Sequence, residues 1–298
     1  MAQDKAFVTV ITNIAYLPGL LTLAHSLRQV GSSYPLIALY TSTFPAEGLA
    51  ALKARNIASL KVPFLSPSKG KDYLDDPRFN DCWTKLVVFS LTQFARLVQL
   101  DSDMVVRRNI DSLMDLPLGD DIVFAASHAC VCNPLRKSHY PPSWTPANCA
   151  FTSQHGDPAR AQVEGADPAR VGLGDLNSGL LVVKPDKTVF AQIQTHMDEH
   201  GNDYTFPDQD LLADLYRGRW APLPYVFNAL KTMRAKGVHD AIWRDDQVKV
   251  VHFILSPKPW NELDEHGNWT GTNETHTWWV EANSKRRRDE KASGLIEP

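Results

Sequence analysis

The stretch RLVQLDSDMVVRRNIDSLMDL, residues 96–116, starts as an apolar run and breaks on two carboxylates. Leu97, Val98, Leu100, Val105 and Val106 are residues a buried strand uses; Asp101 and Asp103 are not. Side chains two apart on a strand share a face, so the two acids are projected together and repel unless positive charge sits between them. Open α/β sheets bind ligands at the carboxyl ends of their strands, and hard oxygen donors there suit Mn²⁺ or Mg²⁺ bridging to a phosphate. An isolated Asp-x-Asp is more often a solvated turn, so the rest of the chain has to decide.

Outward from this stretch, short β-branched runs alternate with segments of helical period. The pattern predicts strands at Phe7–Ile11, Leu36–Tyr40, Leu97–Leu100, Ile122–Ala126, Gly179–Val183 and Val248–Ile254. It predicts helices at Gly19–Val30, Ala46–Arg55, Trp83–Phe94, Thr188–His200 and Asp208–Arg217. Such alternation argues an α/β fold with a mostly parallel central sheet. Residues 128–171 carry Pro, Ser, His and Asn without period, as an insert rather than a packed layer. After about residue 265 the chain reads as a polar tail, with the Lys285–Arg288 run as a solvated face.

The 298 residues are 43% hydrophobic and carry a net charge of −3, the profile of a globular protein with no electrostatic reason to bind nucleic acid or an anionic membrane. No apolar run reaches the roughly 20 residues of a membrane span, and the first residues lack a signal-peptide pattern. The expectation is a cytoplasmic protein whose four cysteines stay reduced and whose Asn-x-Ser/Thr matches at Asn268 and Asn273 are chance.

A second cluster of chemistry lies in VKVVHFILSPKPW, residues 248–260. His252 ends a β-branched run and offers an imidazole ligand, while Lys258 stands between two prolines as a cation for a phosphate. Walker A and G-x-G-x-x-G sequences are absent, so a metal and lysines must meet any phosphate charge.

In chain order, AFVTVITNIAYLPGLLTLAHSLR, TKLVVFSLTQFARLVQLDSDM, LNSGLLVVKP, PDQDLL and VVHFILSPKPW together resemble glycosyltransferase family 8, the retaining transferases that include glycogenin and plant galactinol synthase. The resemblance spans residues 6 to about 260 and implies a GT-A fold, a single Rossmann-like nucleotide-sugar domain over residues 1–265. It assigns Asp101, Asp103 and His252 to a divalent metal, usually Mn²⁺, with Mg²⁺ as the alternative. It places Val10, Thr12, Asn13 and Tyr16 at the uridine, Ser102 and Lys85 at the donor, and Lys258 at the pyrophosphate. Asn177, Asp208 and Gln209 match residues around the transferred sugar, Asp208 as nucleophile or as stabiliser of an oxocarbenium-like state. Two departures stand out: the loop after His252, often glycine-bearing in the family, reads Leu255–Ser256–Pro257, and Arg78 is offset from the family's donor-side arginine.

Glycogenin carries an acceptor tyrosine before the metal histidine, and residues 226–253 contain none. The galactinol synthase pattern fits better through PDQDLL, VFNALKTM and the cysteine-bearing HACVCNPL. The implied reaction moves galactose or glucose from UDP-galactose or UDP-glucose to a small acceptor such as myo-inositol, and a homodimer is compatible with it. The competing readings are a glycogenin-like enzyme acting on protein or glucan, an NDP-sugar nucleotidyltransferase and a non-catalytic UDP-sugar-binding module. The nucleotidyltransferase would want a glycine-rich basic loop near the N-terminus, and the binding module would be expected to lose a ligand or Asp208. Cys130, Cys132 and Cys149 lie among His128, His139 and His155 and raise zinc, but C-x-C followed by one Cys is no recognised four-ligand spacing. The insert reads instead as the acceptor side, with Tyr140 and Trp144 placed to stack on a sugar or cyclitol ring.

Overall fold

The computed structural model describes residues 4–68, 73 and 79–295. Its strands are β1 (Lys5–Ile11), β2 (Leu36–Tyr40), β3 (Ala58–Lys61), β4 (Arg96–Leu100), β5 (Met104–Val106), β6 (Phe124–His128), β7 (Leu176–Val183), β8 (Trp220–Pro222), β9 (Ala229–Leu230) and β10 (Val250–His252). The α-helices are α1 (Leu17–Gln29), α2 (Ala46–Ala54), α3 (Phe79–Cys82), α4 (Lys187–His200), α5 (Pro207–Leu215) and α6 (His276–Ala292).

Among the described residues a seven-stranded sheet runs β3-β2-β1-β4-β7-β6-β8, and a second sheet runs β5-β10-β9. Every pairing in the large sheet is parallel except those of β7, which is antiparallel to β4 and β6. Both faces are covered, which is why the strands read as continuous apolar runs. In β7, Leu180 and Val182 enter one core cluster while Leu181 and Val183 enter the other. The reversal of β7 has a consequence for the site: its first residues, Asn177 and Ser178, lie beside the carboxyl ends of its neighbours.

Helix α1 packs Leu20, Leu23 and Leu27, all buried at helical spacing, and closes on Gly31, whose φ of 69° is the left-handed C-terminal geometry that suits glycine. The predicted helix at Trp83–Phe94 is instead a 3₁₀ segment, Trp83–Ser90, that continues from α3. Leu86, Val87, Val88 and Phe89 are all buried, and the β-branched pair Val87–Val88 beside Phe89 has a low intrinsic helix propensity. The predicted strand Val248–Ile254 keeps only Val250–His252, because the short partners β5 and β9 limit its length.

The polar C-terminal stretch contains α6, which packs on α1. Trp279 is fully buried, and Thr22 Oγ1 donates to Asn283 Oδ1 at 3.2 Å. The Lys285–Arg288 run departs from a solvated face at one residue: Arg286 is 1% exposed and bonds Glu290 Oε2 at 2.7 Å. No described helix is long and apolar enough to cross a membrane.

Candidate active site

Asp101 and Asp103 do not share a strand. The chain leaves β4 at Asp101, turns through Ser102 and enters β5 after Asp103, so the Asp-x-Asp forms the hinge between the two sheets. Two backbone bonds fix it. Asp101 N–H donates to Gly179 O in β7 at 2.8 Å, and Phe253 N–H donates to Asp103 O at 2.9 Å. Antiparallel pairing sets His252 opposite Met104, and so next to Asp103. Ligand atoms of Asp101, Asp103 and His252 lie within 4.8 Å of one another, with His252 Nε2 3.2 Å from Asp103 Oδ1 and 3.7 Å from Asp101 Oδ2.

The tautomer of His252 follows from its neighbours. Gly179 N–H donates to Asn177 Oδ1 at 3.1 Å, which fixes the Asn177 amide. Asn228 must then present its Nδ2 to that oxygen, at 2.8 Å, and its Oδ1 to His252 Nδ1, at 2.9 Å. A carbonyl oxygen only accepts, so Nδ1 carries the hydrogen and Nε2 faces two carboxylates. That arrangement needs a proton or a cation between them, and an imidazole whose far nitrogen is held by an outer partner is how a metal-ligating histidine is oriented. Gly179 makes room for the ring: a Cβ there would sit 2.4 Å from His252 Cε1. Two carboxylates and one imidazole nitrogen so arranged fit Mn²⁺ or Mg²⁺.

Two lysines complete the electrostatics. Lys85 Nζ donates to Asp101 Oδ2 at 2.9 Å and stands 3.6 Å from Asp208 Oδ2. Lys258 Nζ is in direct contact with the Asp103 carboxylate and donates to Phe253 O at 2.8 Å. Burial would raise the Asp103 carboxyl, but Lys258 and His252 hold it well below the usual carboxylate range. Burial pushes Asp101 above that range against the opposing pull of Lys85. Burial would lower Lys85, yet Asp101 and Asp208 raise its ammonium well above the ordinary lysine value. Three carboxylates thus face two ammonium groups.

These groups open into one cavity of about 240 Å³. Val10, Thr12, Asn13, Tyr16, Lys85, Asp101, Ser102, Asp103, Asn177, Asp208, Gln209, His252 and Lys258 all line it, so the fold gathers every described residue singled out in the sequence for donor, metal or sugar. Arg78 lies outside the described residues. Thr12 Oγ1 donates to Asp81 Oδ2 at 2.6 Å, and Asn13 caps the 3₁₀ turn that carries Tyr16. Tyr16 packs edge-on to Trp260, and the Lys258 ammonium lies 5.9 Å from its ring centre. Asp208 sits in the first turn of α5, is 3% exposed, and its Oδ2 is buried without a hydrogen-bond partner among the described residues. Asn177 Nδ2 donates to Gln209 Oε1 at 3.4 Å.

The far wall is aromatic. Trp144 stacks on Phe206 with ring centres 4.7 Å apart, Tyr140 meets both edge-on, and Trp144 Nε1 is anchored on Asp175 Oδ2 at 2.9 Å. Leu255 also lines the cavity, with φ of 63°. A leucine holds a left-handed backbone, which favours glycine, in the loop that departed from the family pattern. Sequence reading missed Asp81 and Asn228. Asn228 lies in VFNALKTM with no sign of its role, because its partner His252 is 24 residues away and meets it only through the pairing of β9 with β10.

Comparisons with known proteins bear on the family and the fold. The profile of Glycosyl transferase family 8 matches residues 7–264. An uncharacterised protein, R707, of Acanthamoeba polyphaga mimivirus is 29% identical over 88% of this chain and 84% of its own. Galactinol synthase 1 of Ajuga reptans is 26% identical over 90% of this chain and 77% of its own. Among solved structures, the galactosyltransferase LgtC in complex with donor and acceptor sugar analogs superposes with a TM-score of 0.61 at 18% identity, covering 94% of this chain and 95% of that one. The glycosyltransferase GlyE of Streptococcus pneumoniae TIGR4 gives 0.61 at 16% identity over 99% of this chain, which spans 66% of the GlyE chain.

Proposed function

The chain belongs to glycosyl transferase family 8 and is a glycosyltransferase with a GT-A fold; from that premise we propose a divalent-metal-dependent, retaining hexosyltransferase that moves galactose or glucose from a UDP-sugar to a small polyol such as myo-inositol. The observation that carries this reading is the sharing of one cavity by the lysine-flanked Asp101–Asp103–His252 cluster, the buried Asp208 carboxylate, paired with Lys85 at 3.6 Å, and an aromatic wall. When bound, a divalent ion supplies Lewis-acid stabilisation to the leaving diphosphate.

The chain's own residues do the rest. Val10, Thr12, Asn13 and Tyr16 hold the uridine, with Tyr16 offering its ring to the base. Ser102, at the turn between the two aspartates, lies along the donor. Lys258 meets the charge that grows on the diphosphate as the glycosidic bond breaks, and Lys85 links the metal acids to Asp208. Asp208 presents its carboxylate to the anomeric carbon, as nucleophile or as electrostatic stabiliser, and Asn177 with Gln209 positions the sugar. The Tyr140–Trp144–Phe206 wall gives a ring acceptor an apolar face. Support for a small polyol comes from the galactinol synthases at 23–26% identity among the relatives and from the absence of tyrosine in residues 226–253.

The test is a matrix of UDP-galactose and UDP-glucose against myo-inositol, simple sugars, a glucan and a peptide, with Mn²⁺. Product structure is read by NMR. An α-linked hexosyl polyol supports the reading; transfer only to glucan or peptide, or a β-linked product, contradicts it.

A further inference from the structure

Beside the donor cavity lies a second cluster of ligating side chains that the transfer reaction does not use. Cys130 and Cys132 follow β6, Cys149 comes from the irregular insert, and His239 comes from the loop between β9 and β10. One ligand atom from each lies within 4.8 Å of all the others. Cys132 Sγ is 3.3 Å and Cys149 Sγ 3.4 Å from His239 Nε2. Cys149 is 2% exposed, His239 is fully buried, and none of the cysteines is in a disulfide.

We propose that Cys130, Cys132, Cys149 and His239 form a structural zinc site of the Cys₃His type. A tetrahedral ion with Zn–S of about 2.3 Å and Zn–N of about 2.05 Å sets sulfur-to-nitrogen edges of about 3.6 Å, close to the two observed spacings. The imidazole is oriented as a ligand. His239 Nδ1 bonds His155 Nε2 at 2.9 Å, which leaves Nε2 aimed at the sulfurs. Phe151 packs edge-on against the same ring, 5.5 Å between centres, and shields it. Buried thiols that merely fill space would not need a histidine nitrogen turned towards two of them, and three thiols cannot all pair as disulfides.

The sequence spacing hid the site because its fourth ligand is 90 residues beyond Cys149 and 107 beyond Cys132. Of the histidines near the cysteines, His155 supports the ligand, while His128 bonds the carbonyls of Asp175 and Ala166. The ion would tie residues 130–149 to the loop before β10. Cys130 itself lines the donor cavity together with Tyr140 and Trp144, so the tie would fix the aromatic wall.

Metal analysis of the purified full-length protein after exhaustive dialysis should find about one zinc per chain. Asp103→Asn, which disables the other candidate metal cluster, should leave that zinc in place. His239→Ala should lose it and His239→Cys, which supplies a fourth thiolate, should keep it. If His239→Ala proves insoluble, wild-type protein carries the test alone. Chelator treatment should expose three further thiols to a colorimetric reagent, and cobalt(II) refilling should give thiolate-to-cobalt charge-transfer bands. Zinc-free wild-type protein that shows no thiolate bands with cobalt, or zinc that leaves with Asp103→Asn and stays with His239→Ala, overturns the proposal.

Discussion

Asp103 is held by a buried ammonium on one side and an imidazole on the other, and each contact makes a prediction. Removing one partner of a buried ion pair leaves an uncompensated charge and costs about 3–5 kcal/mol. Lys258→Ala should therefore destabilise the metal-free protein by about 3 kcal/mol, and the loss should shrink when Mn²⁺ takes over the compensation of Asp103. Denaturant melts with and without Mn²⁺ measure both; a loss unchanged by Mn²⁺ means that the carboxylate is not a metal ligand. Asn228 holds the far nitrogen of His252, so Asn228→Ala should weaken metal affinity by about 10–100-fold, the usual effect of an outer-shell partner. Asp208→Asn keeps shape and removes charge, so turnover should fall by about 10²–10³ with UDP affinity nearly unchanged. A variant that melts early yet turns over normally would reduce Asp208 to a helix-start residue. The residues that line the cavity were legible because each sits in a short motif of its own. Asn228 and His239 were not, since nothing local marks a side chain whose partner arrives from a distant strand or loop.

At the scale of elements, apolar residues at helical spacing found α1, α2, α4 and α5 to within a residue or two. The same signal failed for Trp83–Ser90, where Val87, Val88 and Phe89 follow one another and weaken the preference for an α-helix. Strand signals found the central strands, but not the direction of β7, since residue pattern does not encode whether a neighbour runs parallel. Helix α5 also carries a titratable feature. Asp210 accepts from the backbone N–H groups of Thr205 at 3.0 Å and Phe206 at 2.7 Å, tying down the chain that enters the helix. Burial raises its carboxyl to about 7 from an ordinary 3.8. The unfolded chain releases this proton near pH 4 and the folded chain near 7, so the group's contribution is full below about pH 4 and is lost as pH rises through about 7. Asp210→Asn should remove a pH-dependent loss of up to a few kcal/mol, so its stability relative to wild type should improve from pH 4 to pH 8. Equal differences at the two pH values would contradict the raised value.

For the whole molecule, two sheets meet at Asp101–Asp103, and the site exists only where they meet. The large sheet brings Asn177 and the β1 turn, the small one brings His252, and α5 brings Asp208. Residues 130–149 and the loop before β10 close the far side, and α6, outside the matched family segment, braces α1 from behind. A polar stretch such as residues 276–292 hides a packed helix because its buried anchors, His276, Trp279, Asn283 and Arg286, are few and three of them are polar. On the proposed reading, the hinge between the sheets holds a divalent ion that in turn holds the donor diphosphate. Titration calorimetry of UDP into wild type and Asp103→Asn, each with Mn²⁺ and with chelator, tests it most directly. Binding should depend on Mn²⁺ in wild type and weaken by more than about 100-fold in Asp103→Asn, more than outer-shell changes cause. Equal UDP affinity in the two proteins with Mn²⁺, or wild-type affinity indifferent to chelator, would contradict it.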